Sequence, residues 1–158
     1  MHWIEAGGRM SKSDCVLCAL GKGEAVAATG VVERERLAFT LLNRFPYTSG
    51  HLMIVPMRHV ANPTDLSPEE WEEIRRLMGR AVRALERTYH PHGYNIGINV
   101  GRAAGAGIED HCHLHVVPRW DGDHNFVTVL GEARVIPEDL AVTHRRLSEA
   151  LAQERDEE

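Results

Sequence analysis

Residues His111–Pro118 read HCHLHVVP, with a histidine at every second position of the first five. Successive side chains of a β-strand point to opposite faces, so His111, His113 and His115 would share one face. The apolar residues between them would then pack into a core on the other face. A strand face in contact with solvent has no need of three imidazoles. The segment therefore predicts a strand whose outer face carries a functional site.

Two kinds of chemistry could use this row of imidazoles. The first is metal binding, because imidazole is a common zinc ligand. Several metallohydrolases use an HxH pair on a strand in this way, but those sites need carboxylates close by, and His115 is followed by Val-Val-Pro. The second is nucleophilic catalysis at phosphorus, because a neutral imidazole, with an ordinary pKa of about 6.5, can attack a phosphoryl group. Its neighbours would then orient it and hold the phosphate oxygens. The spacing alone leaves both interpretations open.

The remaining sequence predicts an α+β fold with a mostly antiparallel sheet. Short apolar runs bounded by turn residues are typical of strands in a meander. These runs cover residues 31–33, 37–42, 51–55, 94–99 and 113–117.

Two helices complete the predicted fold. Residues 67–70, Ser-Pro-Glu-Glu, form a capping box at the start of a long central helix that ends near Tyr89. Its core-facing stripe consists of Trp71, Ile74, Leu77, Met78, Ala81, Val82 and Leu85. A C-terminal helix is expected after Pro137, with fraying over residues 154–158. Its inward residues would be Leu140, Leu147 and Leu151.

A chain of 158 residues has the length of one domain of ordinary size. We expect a flexible arm over residues 1–13 and one domain over residues 14–153. The formal net charge of −5 argues against a broad basic surface for nucleic acid. No apolar stretch approaches the roughly 18 residues of a membrane span, and the N-terminus lacks the features of a secretory signal. We therefore expect a cytoplasmic protein that binds neither nucleic acid nor membranes.

Three further features have both a structural and a functional interpretation. Residues 101–107 are glycine-rich, and they form either a plain connection or a loop whose backbone N–H groups approach phosphate oxygens. Cys15 and Cys18 form a CxxC pair, and the odd total of three cysteines favours reduced thiols or a metal over disulfides. Trp120 is either a packing aromatic or a ring that stacks on a nucleobase.

The alternating histidines resemble the signature of the histidine triad (HIT) superfamily of nucleotide hydrolases and transferases. Residues 39–60, FTLLNRFPYTSGHLMIVPMRHV, resemble the N-terminal half of that family, and residues 93–101, GYNIGINVG, resemble the strand before its phosphate loop. Residues 115–126, HVVPRWDGDHNF, are most similar to the branch that acts on diadenosine polyphosphates. The resemblance covers residues 15–130 and implies a HIT-like fold that forms a homodimer by extending its sheet.

The resemblance implies a role for each matching residue. His113, the middle histidine, would be the nucleophile that attacks the α-phosphorus and carries the nucleotidyl group. His115 would contact the phosphate, and His111 and His51 would lie at the same site. The nucleotide would be bound by Asn43 at the ribose, by Leu41 and Met53 at the base, and by Asn99, Gly105 and Gly107 at the phosphates, with Trp120 as a candidate stacking residue.

The resemblance also extends the CxxC pair to a complete metal site. Some HIT relatives, and the related galactose phosphate uridylyltransferases, add two histidines to such a pair, and the matching positions here are His59 and His111. Together with Cys15 and Cys18 they would bind a structural zinc ion. This zinc would attach the N-terminal arm to the strand of the active site.

One stretch departs from the family's pattern. Many relatives carry Gln or Ser just before the triad, where residues 107–110 of this chain read Gly-Ile-Glu-Asp. A side-chain donor to the phosphates is therefore missing, and Glu109 and Asp110 would discourage very anionic substrates.

Together these features predict an enzyme that acts on an adenosine nucleotide by double displacement, as a diadenosine tetraphosphate phosphorylase or hydrolase. The two reactions share their first step, so the sequence does not decide between them. Three alternatives stay open: a nucleoside phosphoramidase, a nucleotide-binding regulator with vestigial activity, and a metalloprotein whose three triad histidines bind one ion.

Overall fold

The computed structural model of the protein describes residues 15–23, 30–123 and 138–157. The arm predicted over residues 1–13 lies outside these ranges. Within them, the structure contains no helix that is both long enough and apolar enough to cross a membrane.

The described residues form a five-stranded antiparallel sheet and three helices, which confirms the predicted α+β class. The strand order is β1-β2-β3-β5-β4, and each neighbouring pair is antiparallel. The strands are β1 (Val31–Arg34), β2 (Ala38–Leu42), β3 (Leu52–Pro56), β4 (Gly93–Ile98) and β5 (Leu114–Arg119). The helices are α1 (Val16–Gly21), α2 (Pro68–Tyr89) and α3 (Leu140–Asp156).

The long helix α2 begins and ends where the sequence predicts. The Ser67 side chain accepts a hydrogen bond from the Glu70 backbone N–H, and the Glu70 carboxylate accepts one from the Ser67 N–H, so the capping box is complete. The buried residues of α2 include Ile74 and Leu77, which pack against the sheet in the main core. Burying a leucine of this kind contributes roughly 1.5–3 kcal/mol. This core closes one face of the sheet.

Three details of the helices differ from the predictions. Trp71 and Leu140, which we expected to face the core, are 39% and 37% exposed, because each lies near the start of its helix among residues that are exposed too. The C-terminal helix continues to Asp156 instead of fraying from residue 154. Glu154 is buried, and its carboxylate forms ion pairs with Arg83 and Arg87 of α2.

The opposite face of the sheet carries a second apolar cluster. Ile54 of β3 faces α2, and its neighbours Met53 and Val55 point the other way. On that side α1 covers the sheet and contributes Leu17 and Leu20. His115 of β5 lies directly across from Met53 in the sheet, so the histidine row occupies this second face, away from α2.

Candidate functional site

The histidine row is buried, whereas we expected it to line a surface. His111, His113 and His115 are 0%, 6% and 8% exposed. Regular strand structure begins only at Leu114, so the first two histidines precede β5. The alternation still holds, because Leu114 and the other intervening residues pack into the core under α2.

A chain of hydrogen bonds fixes the protonated nitrogen of His51 and of His115. The backbone N–H of Tyr47 donates to Nδ1 of His51 at 3.1 Å, so the ring proton of neutral His51 lies on Nε2. Nε2 of His51 is 2.9 Å from Nδ1 of His115 and donates to it. The proton of neutral His115 therefore lies on Nε2, where it is available to a phosphate oxygen.

The ring of His113 has the opposite arrangement. Its Nδ1 lies 2.9 Å from the backbone carbonyl oxygen of His111, which can only accept, so the proton lies on Nδ1. Nε2 of His113 therefore carries a lone pair. The rings of His113 and His115 pack edge to face with centroids 4.9 Å apart. One ring of this pair offers a nucleophilic nitrogen, and the other offers a hydrogen-bond donor.

Burial keeps both rings neutral. Removal from water disfavours the imidazolium ion, and it lowers the pKa of His113 and lowers that of His115 to about 4. The hydrogen bond from His113 to the His111 carbonyl opposes this shift without reversing it. A neutral imidazole is the form that attacks phosphorus.

The turn between β2 and β3 places His51 in the site. Asn43 Oδ1 accepts the backbone N–H of Phe45 at 2.9 Å, and the Thr48 hydroxyl donates to the carbonyl of Pro118 at 2.8 Å. Gly50 adopts a φ of +80°, and a Cβ at this position would lie 2.8 Å from Leu85. Glycine is therefore required just before His51.

His111 faces a different set of residues, the predicted metal ligands. Its Nδ1 is 3.4 Å from Sγ of Cys15 and 3.5 Å from Sγ of Cys18, and Nδ1 of His59 is 3.3 Å from Sγ of Cys18. One ligand atom from each of the four residues lies within 4.8 Å of the others. Ligand atoms around tetrahedral zinc are about 3.5 Å apart, so two thiols and two imidazoles at these distances fit such an ion.

The outer hydrogen bond of His111 supports its assignment as a ligand. Nε2 of His111 donates to the carbonyl of Pro56 at 2.8 Å, which leaves the Nδ1 lone pair directed at the sulfurs. We predicted His111 in both the catalytic and the metal sets. Its side chain lies in the metal cluster, and its backbone carbonyl contacts the catalytic candidate His113.

The predicted base and ribose contacts lie on the same face of the sheet or beside it. Leu41 and Met53 are 4% and 9% exposed within the cluster under α1, and Met53 is the cross-strand neighbour of His115. Asn43 is half-buried, and its Nδ2 lies 3.3 Å from Nδ1 of His51. Asn43 thus has a structural role in the turn.

The predicted phosphate loop connects β4 to β5. Gly105 adopts a φ of +85°, and the Asn99 amide nitrogen lies 3.8 Å from where its Cβ would be. Apart from Gly107 and its two neighbours in the chain, no described residue has a heavy atom within 4 Å of the corresponding position at Gly107. Trp120 is half-buried just beyond the end of β5. These residues flank the row of histidines in the chain, and Trp120 lies five residues beyond His115.

Sequence reasoning missed two features of this region. The ring of Tyr47 lies 4.6 Å from that of His51 and is stacked 6.0 Å from that of His115. Its signal in the sequence was an aromatic residue four positions before a histidine. Glu109, which we expected to act as a free negative charge, accepts a hydrogen bond from Arg102 at 2.9 Å across the loop.

The chain is similar to known proteins over most of its length. Residues 24–122 match the HIT domain family. The AP-4-A phosphorylase of Mycobacterium tuberculosis is 43% identical over 124 residues, which are 78% of this chain but only 64% of that protein. An uncharacterised HIT-like protein of the same organism is 38% identical over 89% of this chain and 94% of its own length. The adenosine 5'-monophosphoramidase of Schizosaccharomyces pombe is 24% identical over 87% of this chain and 98% of its own.

Among solved structures, a zinc-bound histidine triad family protein from Mycobacterium smegmatis has a similar fold. Its TM-score is 0.76, with 33% identity over 94% of this chain and 100% of the other.

Proposed function

The chain belongs to the HIT family, and from that premise we propose that it transfers the nucleotidyl group of an adenosine nucleotide through a covalent histidine intermediate. Diadenosine tetraphosphate is the proposed substrate, because the mycobacterial AP-4-A phosphorylase is 43% identical to this chain. One observation carries the proposal: Nδ1 of His113 donates to the carbonyl of His111, so Nε2 holds a lone pair.

In the first step, Nε2 of His113 attacks the α-phosphorus and the bond from phosphorus to the leaving-group oxygen breaks. The electron pair of that bond departs with the leaving nucleotide. Nε2–H of His115 donates a hydrogen bond to the phosphate oxygens, on which charge accumulates. His51 holds His115 in the tautomer that this requires.

In the second step, an acceptor attacks the same phosphorus and restores His113. With water as the acceptor, diadenosine tetraphosphate yields AMP and ATP. With inorganic phosphate it yields ADP and ATP. Both outcomes use the same intermediate, so the acceptor that the site admits determines the reaction class.

We also propose that Cys15, Cys18, His59 and His111 bind zinc. Four protein ligands complete a tetrahedral site, so the ion would have a structural role. It would fix the backbone of His111, whose carbonyl orients the ring of His113.

Incubation of the protein with diadenosine tetraphosphate, with and without phosphate, tests the proposal. If the protein is a phosphorylase, we expect ATP and ADP, formed only when phosphate is present. If it is a hydrolase, we expect ATP and AMP without added phosphate. His113→Ala should abolish both, whereas His90→Asn, at an exposed helix end in the left-handed conformation that asparagine tolerates, should keep them. Near-normal turnover by His113→Ala would refute the assignment of the nucleophile.

A phosphoramidase is the second candidate, favoured by the relative from Schizosaccharomyces pombe. It predicts a higher kcat/KM for adenosine 5'-phosphoramidate than for the dinucleotide. A nucleotide-binding regulator predicts binding of both compounds without turnover of either.

We propose a homodimer as well, formed by sheet extension. Strand β4 lies at one edge of the sheet, and Ile96 on it is 43% exposed. Ile96→Lys should therefore shift the protein to monomer in light scattering, and an unchanged mass would contradict this interface.

A further inference from the structure

The turn that carries His51 also exposes two aromatic rings. Phe45 is 75% exposed and Tyr47 is 42% exposed, while Pro46 between them is buried. Both rings are therefore presented to solvent from the same short turn. Hydrogen bonds from the backbone N–H groups of Phe45 and Tyr47, to Asn43 and His51 respectively, fix the backbone beneath both rings.

The ring of Tyr47 continues the row of candidate catalytic histidines towards solvent. The ring of His113 contacts that of His115, and the Tyr47 ring lies 6.0 Å from His115 at an interplanar angle of 21°. Tyr47 is thus the last aromatic ring of a series that begins at the nucleophile. Phe45 lies two residues earlier in the same turn, and it is the more exposed of the two rings.

The turn also carries a positive charge. Arg44 is exposed, and it forms no ion pair or hydrogen bond with any residue in the described part of the chain. An arginine beside two exposed aromatic rings offers contacts both for phosphate oxygens and for a flat heterocycle. The predicted base contacts Leu41 and Met53 lie elsewhere, buried under α1.

We propose that Phe45 and Tyr47 bind the second nucleobase of a dinucleoside polyphosphate, with Arg44 beside the phosphates of that leaving half. This inference rests on the proposed function and narrows its substrate class. It explains how the site would distinguish a dinucleotide from a small leaving group. An amine or a simple phosphate leaving from the same adenylyl group would not reach these rings.

We call Phe45 and Tyr47 together the aromatic platform. Two substrates with the same adenylyl group test it. Diadenosine tetraphosphate carries the second base, and adenosine 5'-phosphoramidate does not. For Phe45→Ala we expect kcat/KM for the dinucleotide to fall about tenfold through a higher KM, because stacked bases lose binding of that order when the aromatic ring is removed. The value for the phosphoramidate should change less than about twofold.

Two further variants serve as controls for Phe45→Ala. Phe45→Tyr keeps an aromatic ring and should retain most of the dinucleotide activity. Trp71→Ala removes an exposed aromatic ring from α2, on the other side of the sheet, and should leave the ratio of the two activities unchanged. An equal loss on both substrates, or no loss on either, would overturn the platform.

Equilibrium binding separates failure of the platform from failure of the proposed function. If the wild-type protein turns over neither compound, the proposed function is wrong. The platform then still predicts that Phe45→Ala weakens binding of diadenosine tetraphosphate and leaves binding of AMP unchanged. Equal affinities of wild type and variant for the dinucleotide, or a change of oligomeric state in Phe45→Ala, would refute it.

Discussion

The two ends of the histidine row contact different sets of residues. At one end, His111 faces two cysteines and a second histidine in a closed cluster under α1. At the other end, His115 joins His51 in a hydrogen-bonded pair that continues into the exposed turn at Tyr47. His113 lies between them and contacts both, through the carbonyl of His111 and the ring of His115. Under the proposed function, one end of the row would hold the nucleophile in place and the other would contact the phosphate.

The largest expected effect is at the end of the row where His111 lies in the cysteine and histidine cluster. Cys18→Ala should lose the proposed zinc ion and lower the free energy of unfolding by several kcal/mol, because binding to a folded site stabilises the fold. Cys112→Ala is the matched control: this thiol is buried in the core but outside the cluster, so it should keep the zinc and lose about 1 kcal/mol. Metal analysis and thermal unfolding measure both. An equal zinc content in the two variants would show that Cys18 is not a zinc ligand.

His51→Ala probes the other end without touching the metal. Its loss frees the ring of His115 to adopt the wrong tautomer, so kcat should fall about 10²- to 10³-fold with little change in KM. Zinc content should equal that of the wild type. If KM rises while kcat is kept, His51 serves binding instead of positioning, and the proposed division between the two ends is wrong.

These two ends also differ in how far the sequence could predict them. The alternation correctly predicted that the histidines and the apolar residues between them lie on opposite faces of the sheet, because alternation of side chains depends only on strand geometry. It could not predict burial, since α1 covers His111 from almost a hundred residues earlier in the chain. The CxxC spacing of Cys15 and Cys18 indicated a possible pair of metal ligands. Their partners required the resemblance to a family.

The same limit applies to the rest of the fold. Local signals, such as the capping box at Ser67, predicted the start of α2, and short apolar runs predicted all five strands. Features that depend on distant contacts were missed. Glu154 was expected in a frayed tail, but two arginines of α2 form ion pairs with its carboxylate. The position of Tyr47 against His115 likewise depends on a pairing between strands that spacing does not encode.

A pH titration sharpens the comparison at His115. Burial lowers its pKa to about 4, and an imidazole in the unfolded chain titrates near 6.5. Between these values the unfolded chain takes up a proton that the folded protein excludes, so the free energy of unfolding should fall as the pH decreases. His115 accounts for about 3 kcal/mol of that fall at most.

Denaturant unfolding from about pH 4.5 to about pH 7 measures this contribution. His115→Asn should show a shallower dependence than the wild type. Both proteins keep the four residues of the metal cluster, so effects of metal release are common to both. Parallel curves would mean that His115 does not carry the expected proton linkage.

The smallest expected effect is in the phosphate loop. Glu109→Gln should free Arg102 and lower KM for a dinucleoside polyphosphate by a few-fold, because exposed ion pairs are worth only about 0.2–1 kcal/mol. Glu72→Gln breaks a comparable exposed pair with Arg75 on α2 and should leave KM unchanged. A higher KM in Glu109→Gln would show that the pair supports the loop instead of occupying Arg102.

Trapping the intermediate tests the central claim most directly. The protein is mixed with diadenosine tetraphosphate, quenched during turnover, digested under alkaline conditions and analysed by mass spectrometry. We expect an adenylyl group on the peptide that contains His113, attached to that residue and absent from the His113→Ala variant. Turnover with an unmodified His113, or an adduct on His111 or His115, would contradict the account.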